Sequence, residues 1–254
     1  MTSTERSTSR APASRPTTVP DGSVVRFSRS ARIIHRTTAV LMIACILTAA
    51  VLYNGSIAIR IGHRHLVELI HVYCGFALPV PMILGAVSAA YRSDLRRLGR
   101  LTASDLRWLR SPTRRDGAIR VGKFNAGQKL NAALACGSIL VLLGSGLLMY
   151  FIGLSPLSWR TGATFVHDWF ALALGLLVLG HVAFALKDPE ARRGMRTGRV
   201  SRRWARAEHA GWLAEMDERG EGAADERITG TAVDIERRSA DDEGLPGQLP
   251  PVVS

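Results

Sequence analysis

Four stretches of the chain carry no charged side chain: Thr37 to Ile59, Leu69 to Tyr91, Leu130 to Trp159 and Trp169 to Leu186. Between them, and beyond the first and last, Arg, Lys, Asp and Glu return in clusters. A helix needs about 20 mostly apolar residues to cross ~30 Å of hydrocarbon, and each stretch, with its flanks, reaches or approaches that length. The pattern predicts an all-α integral membrane protein, a four-helix bundle running up, down, up and down with cytoplasmic tails. Its spans fall at about 35–57, 67–90, 129–152 and 163–186 of the 254 residues.

Finer features follow from the same reading. Residues 1–25 are rich in Ser, Thr, Arg and Pro, and residues 213–254 are acidic with Gly and Pro. Neither holds enough apolar surface to pack, so both are expected to be disordered tails around a membrane domain at 26–212. The first apolar stretch exceeds the 7–15 residues of a signal-peptide core and reads as a retained span. Pro79 and Pro81 fall inside the second span and predict a kink. Thr102 to Asp105 looks like a helix N-cap ahead of Leu106, Trp108 and Leu109, which predicts a short amphipathic helix on the membrane surface. Gly137, Ser138, Gly144, Ser145 and Gly146 give the third span a surface that neighbours can approach closely.

The net charge of +12 would point a soluble domain towards nucleic acid. Its distribution gives another reason. Basic residues crowd before the first span, between the second and third, and after the fourth, while the two remaining loops hold only Arg60, Arg64 and Arg160. Basic loops stay on the cytoplasmic side, so both termini are expected there, the partner of the positive charge being the lipid bilayer and not nucleic acid. Cys45, Cys74 and Cys136 lie within spans without close spacing. They exclude a disulfide framework, an iron–sulfur motif and covalent haem attachment, and read as small packing residues.

Histidine carries the chemistry. His167 and His181 are fourteen positions apart on the fourth span. At ~100° and ~1.5 Å per residue, they point within about 40° of one direction and lie roughly 21 Å apart along the axis. A single such histidine reads as well as a satisfied core residue. With both termini inside, however, His35 and His181 fall near the inner face, and His71 and His167 near the outer face. Imidazoles from different helices then pair by depth, the arrangement of two low-spin b-type haems, each iron held by two axial ligands. One zinc ion could not bridge ligands so far apart on one helix. Arg32 and Arg36 flank His35 as candidate partners for haem propionates. His63 and His65 read as solvated loop residues, and Glu68 as an interfacial carboxylate.

The run Lys123-Phe124-Asn125-Ala126-Gly127-Gln128-Lys129 precedes the third span. Asn125, Gly127 and Gln128 could bind the oxygen of a quinone headgroup, and the run serves equally as a capped helix start.

The chain resembles the b-type cytochrome, or gamma, subunit of membrane-bound formate dehydrogenases, within the wider bacterial di-haem cytochrome b group. The resemblance spans roughly Arg26 to Trp212. It rests on GKFNAGQK at Gly122 to Lys129, on the spacing of His167 and His181, and on GRVSRRWARAEHAGW at Gly198 to Trp212. It implies a subunit of the bacterial inner membrane carrying two haems b, the outer held by His71 and His167 and the inner by His35 and His181. Electrons would come from an iron–sulfur subunit and leave to menaquinone beside Asn125 and Gly127, with Gln128 close by. Formate chemistry would belong to a separate molybdenum or tungsten catalytic subunit. Related cytochromes serve hydrogenases and other reductases, or stand alone, and a haem-free membrane anchor is the alternative outside this class.

Overall fold

The computed structural model describes residues 22–112 and 119–220. Four of its helical segments are long and apolar enough to cross a membrane. The first is α1 (Arg29–Tyr53), started by Ser28, whose hydroxyl accepts from the Ala31 amide. Asn54 ends α1 and starts α2 (Gly55–Ile61), so the expected outer turn contains a short helix, closed by Gly62 at φ 73°. The left-handed conformation there is one that glycine adopts without a Cβ penalty.

The second span is broken, as its prolines require. α3 (Arg64–Ala77) stops before Pro79, which lacks the N–H that would continue the ladder, and α4 (Val80–Gly85) resumes beyond it. α5 (Ala89–Leu98) and α6 (Ala103–Arg110) form the connection to the third span. Thr102 and Asp105 cap α6 reciprocally, each side chain accepting from the other's backbone amide. The third span is α7 (Ala126–Tyr150); a 3₁₀ turn at Ile152–Leu154 then leads to α8 (Leu157–Lys187). α8 has 31 residues, about 46 Å at 1.5 Å per residue, and so starts earlier than the expected span and overreaches the hydrocarbon.

α7 lies along α8, and α1 along α3 and α4. At mid-height one buried side chain from each span meets the others: Met42, Leu78, Ile139 and Leu174. Elsewhere the bundle presents apolar residues outward, among them Leu47, Ile83, Leu140, Leu176 and Phe184. Apolar side chains inside and outside suit a helical bundle surrounded by lipid, where each helix satisfies its own backbone.

One end of the bundle is closed by a small cap. β1 (Ser23–Val25) pairs antiparallel with β2 (Arg199–Ser201), Val24 opposite Val200. α9 (Pro189–Thr197), α10 (Arg202–Glu208) and α11 (Ala210–Glu218) complete it. Its core is Val24, Val200, Ala205, Trp212, Leu213 and Met216, with Trp204 packed on them. These elements correct both expected tail boundaries. Residues 23–25 form a strand because a distant segment supplies its hydrogen-bond partners, and residues 213–218 belong to a helix because Leu213 and Met216 find a core. The expected disorder of residues 1–21 and 221–254 lies outside the described residues.

Candidate functional site

The antiparallel order puts the start of α1, the start of α7 and the end of α8 at the capped end. The end of α1, the start of α3 and the start of α8 lie at the opposite, open end. The four histidines divide accordingly. At the capped end, His35 of α1 and His181 of α8 have ring centres 6.2 Å apart. At the open end, His71 of α3 and His167 of α8 stand 6.3 Å apart. Leu174 of the mid-height layer lies seven residues from both His167 and His181.

These separations can be tested against an axially held iron. An axial nitrogen lies about 2.0 Å from the metal and roughly 1.1 Å from its own ring centre, which puts two opposed imidazoles about 6 Å apart, centre to centre. Both pairs fit. Packed aromatic rings elsewhere in the chain, such as Phe165 and Trp169 at 6.2 Å, share that spacing, so it is the pairing by depth of two such contacts on α8 that points to the metal. Among the described residues no group of three or more His, Cys, Asp or Glu side chains converges on one point, which disfavours zinc at either pair.

The two sites differ in their surroundings. The open-end rings are half-buried, and each Nδ1 lies 2.9 Å from a hydroxyl, Thr48 Oγ1 for His71 and Ser145 Oγ for His167. A Cβ on Gly146 would come 3.5 Å from His167 Cε1, so this glycine admits the ring at contact distance. The capped-end rings are exposed between their helices. Buried polar atoms without a protein partner lie near both pairs: Arg32 Nε and Thr38 Oγ1 within three residues of His35, and Arg160 Nε two turns from His167 on α8. These atoms are open to a further partner, as is Arg26 Nε in the cap, away from both pairs.

The expected propionate partners are committed elsewhere in part. Arg32 Nη1 donates to Arg196 O at 2.7 Å and Arg36 Nη2 to the same oxygen at 3.0 Å, tying α1 to the end of α9. Arg32 keeps Nε for another acceptor. In the sequence Arg160 stands as a sparse charge on a loop, and nothing local there signals that its Nε is buried. His63, His65 and Glu68 are exposed.

Asn125, Gly127 and Gln128 form the first turn of α7 at the capped end. Asn125 Oδ1 accepts from the Gln128 amide at 2.9 Å, and Gln128 Oε1 accepts from the Asn125 amide at 3.1 Å. The run is therefore a capping box, and it leaves Asn125 Nδ2 without a protein acceptor among the described residues. A Cβ on Gly127 would lie 3.5 Å from the Trp108 ring, which brings α6 beside this turn. The Lys129 ammonium, one turn on, pairs with Asp105 at 2.6 Å. Asp105 keeps a carboxyl below the usual range: burial pushes it up, and the bonds from Lys129 and Thr102 outweigh that.

Behind this turn lies a group the sequence reading missed. Arg26 is 2 % exposed and His209 likewise. Arg26 Nη2 donates to Lys123 O at 3.0 Å, and its guanidinium lies 4.6 Å from the Trp204 ring centre. His209 Nδ1 donates to Gly122 O at 2.7 Å. Lys123 in turn pairs with buried Asp94 at 2.5 Å. The cap thus grips the backbone immediately before the Asn125 turn.

Residues 26–198 match the model of a family described as prokaryotic cytochrome b561. Over 100 residues the chain is 33 % identical to the cytochrome b556(Fdn) subunit of the nitrate-inducible formate dehydrogenase of Escherichia coli K12. The same subunit of E. coli O157:H7 and that of Shigella flexneri match equally well. The match covers 38 % of this chain and 46 % of each relative, so it spans about half the length of those proteins.

Proposed function

The chain belongs to the prokaryotic cytochrome b561 family, and from that premise we propose that it carries electrons across a bacterial inner membrane to menaquinone, as a subunit of a respiratory dehydrogenase of the formate dehydrogenase type. The capped end is then cytoplasmic, with both chain termini, since the basic α5–α6 connection and the basic stretch after α8 lie there. The donor is an iron–sulfur subunit at the open end, itself fed by a molybdenum or tungsten subunit that oxidises formate.

The observation that carries the reading is the pair of imidazole separations, 6.2 and 6.3 Å, at opposite ends of one helix. His71 and His167 hold the outer haem b, and His35 and His181 the inner one. Held by these residues, haem would supply reversible one-electron chemistry. Arg32 offers its Nε to a propionate at the inner site, and Arg160 does so at the outer.

The quinone headgroup sits against the first turn of α7. Asn125 Nδ2 donates to a quinone oxygen while Oδ1 remains the cap, Gly127 allows close approach, and the half-buried Trp108 walls the site from α6. Gln128, committed through Oε1 to the Asn125 amide, stiffens the turn. Two electrons and two cytoplasmic protons convert the quinone to the quinol, and the position of this turn at the capped end supplies access to both.

The test is direct. Protein solubilised from membranes should give close to two b-type haems per chain by the pyridine haemochrome assay, with low-spin reduced-minus-oxidised bands. Protein lacking haem after expression with ample haem supply would turn the reading towards a membrane anchor. Co-purification of an iron–sulfur protein should identify the donor.

A further inference from the structure

The hydroxyls beside the open-end histidines have only one hydrogen each to give. Thr48 Oγ1 donates to Ala44 O at 2.6 Å, and Ser145 Oγ donates to Val141 O at 2.7 Å, both within their own helices. With that hydrogen committed, each oxygen can only accept. The hydrogen in the 2.9 Å contacts is therefore assigned to the rings, on Nδ1 of His71 and Nδ1 of His167. Nε2 then keeps its lone pair, which is what an iron ligand requires. All four spans contribute, two with the imidazoles and two with the acceptors.

The capped-end pair has no counterpart: among the described residues neither His35 nor His181 hydrogen-bonds to the protein. A ligand imidazole that donates from its far N–H becomes more basic, and a more basic ligand favours the oxidised iron. We infer that Thr48 and Ser145 are positioning residues that fix the ligand tautomer of the open-end pair and lower its haem potential relative to the other, giving electrons a downhill direction towards the quinone turn. The inference rests on the haem ligation proposed above.

An equilibrium redox titration of the purified protein tests it, with the open-end signal assigned by its absence from His71→Ala. Thr48→Val keeps shape without the hydroxyl, and Ser145→Ala removes the second acceptor. Each should raise the potential of the open-end haem and leave the other in place, while Thr48→Ser restores the original value. Unchanged potentials in Thr48→Val and Ser145→Ala, with both haems bound, overturn the inference and leave the ligation standing. Should Thr48→Val shed the haem, retention by Thr48→Ser still assigns the role to the hydroxyl, whereas loss from both makes Thr48 a packing residue. Wild-type protein that binds no haem overturns the ligation itself.

Discussion

Arg26 Nη2 and His209 Nε2 meet at 2.9 Å, 183 residues apart in the chain. The guanidinium donates and the imidazole nitrogen accepts, so His209 is neutral, with its hydrogen on Nδ1 towards Gly122 O. Burial, and then the Arg26 charge, hold its pKa at about 3, against an ordinary 6.5. Because the folded value is depressed, the unfolded chain binds the proton more readily throughout that interval. The stabilisation is whole above about pH 6.5 and falls by about 1.4 kcal/mol per pH unit below it, until about pH 3. Amide-exchange protection factors at Gly211 and Trp212, whose N–H groups bond to Val121 O, should fall between pH 7.5 and pH 5 once the slower intrinsic exchange at low pH is divided out. His209→Gln should weaken the cap at pH 7.5 and flatten its pH response. Equal protection at both pH values would remove His209 from this role.

The histidine pairs predict independent losses. His181→Ala should leave one haem per chain and an intact open-end spectrum, and His71→Ala the reverse. The mid-height layer separates the sites, so neither loss should unfold the other. Haem content of two in His181→Ala would refute the ligand assignment.

On the proposed reading Asn125 combines a capping role with a quinone-binding one, and two substitutions separate them. Asn125→Asp retains a good N-cap oxygen but has no amide hydrogen to give, so helix stability should hold while quinone reduction drops by tenfold or more, as one lost hydrogen bond of about 1.4 kcal/mol implies. Asn125→Ala should add about 1 kcal/mol of destabilisation. Steady-state reduction of a menaquinone analogue, read beside thermal unfolding, distinguishes them. Equal quinone kinetics in wild type and Asn125→Asp would confine Asn125 to capping.

Gly198 adopts φ 89°, and a Cβ there would stand 2.8 Å from Phe27 O. The strained conformation and the backbone clash act together, so Gly198→Ala should cost on the order of 1–3 kcal/mol and loosen the β1–β2 pairing. Limited proteolysis around Arg199 reports the loosening. Unaltered cleavage would mean that β2 shifts without penalty.

The spans were legible because a lipid-facing helix announces itself locally, in twenty residues without charge. His167 and His181 were legible for a similar reason, since one helix fixes their relation. The cap was not. Val24 becomes a strand residue only because Val200 lies opposite, and no window of the sequence holds both. His209 sits among Arg202, Arg203, Arg206 and Glu208, whose charges suggest solvent, while Trp204, packed against its ring, and Trp212 of the cap core bury it only in the folded chain. The hydroxyls of Thr48 and Ser145 escaped notice because small polar residues in membrane helices usually read as packing.

Met42, Leu78, Ile139 and Leu174 bring no polar side-chain group to mid-height. Such a layer gives a water molecule nothing to hold, and without a file of water a proton cannot hop. On the proposed reading the bundle therefore conducts electrons and insulates against ions. Each turnover then charges the bilayer as the plates of a capacitor are charged, storing about 2.3 kcal/mol per elementary charge for every 100 mV. A polar substitution at Leu174 would act as a leak across that capacitor, and the voltage would fall while electron flow continued.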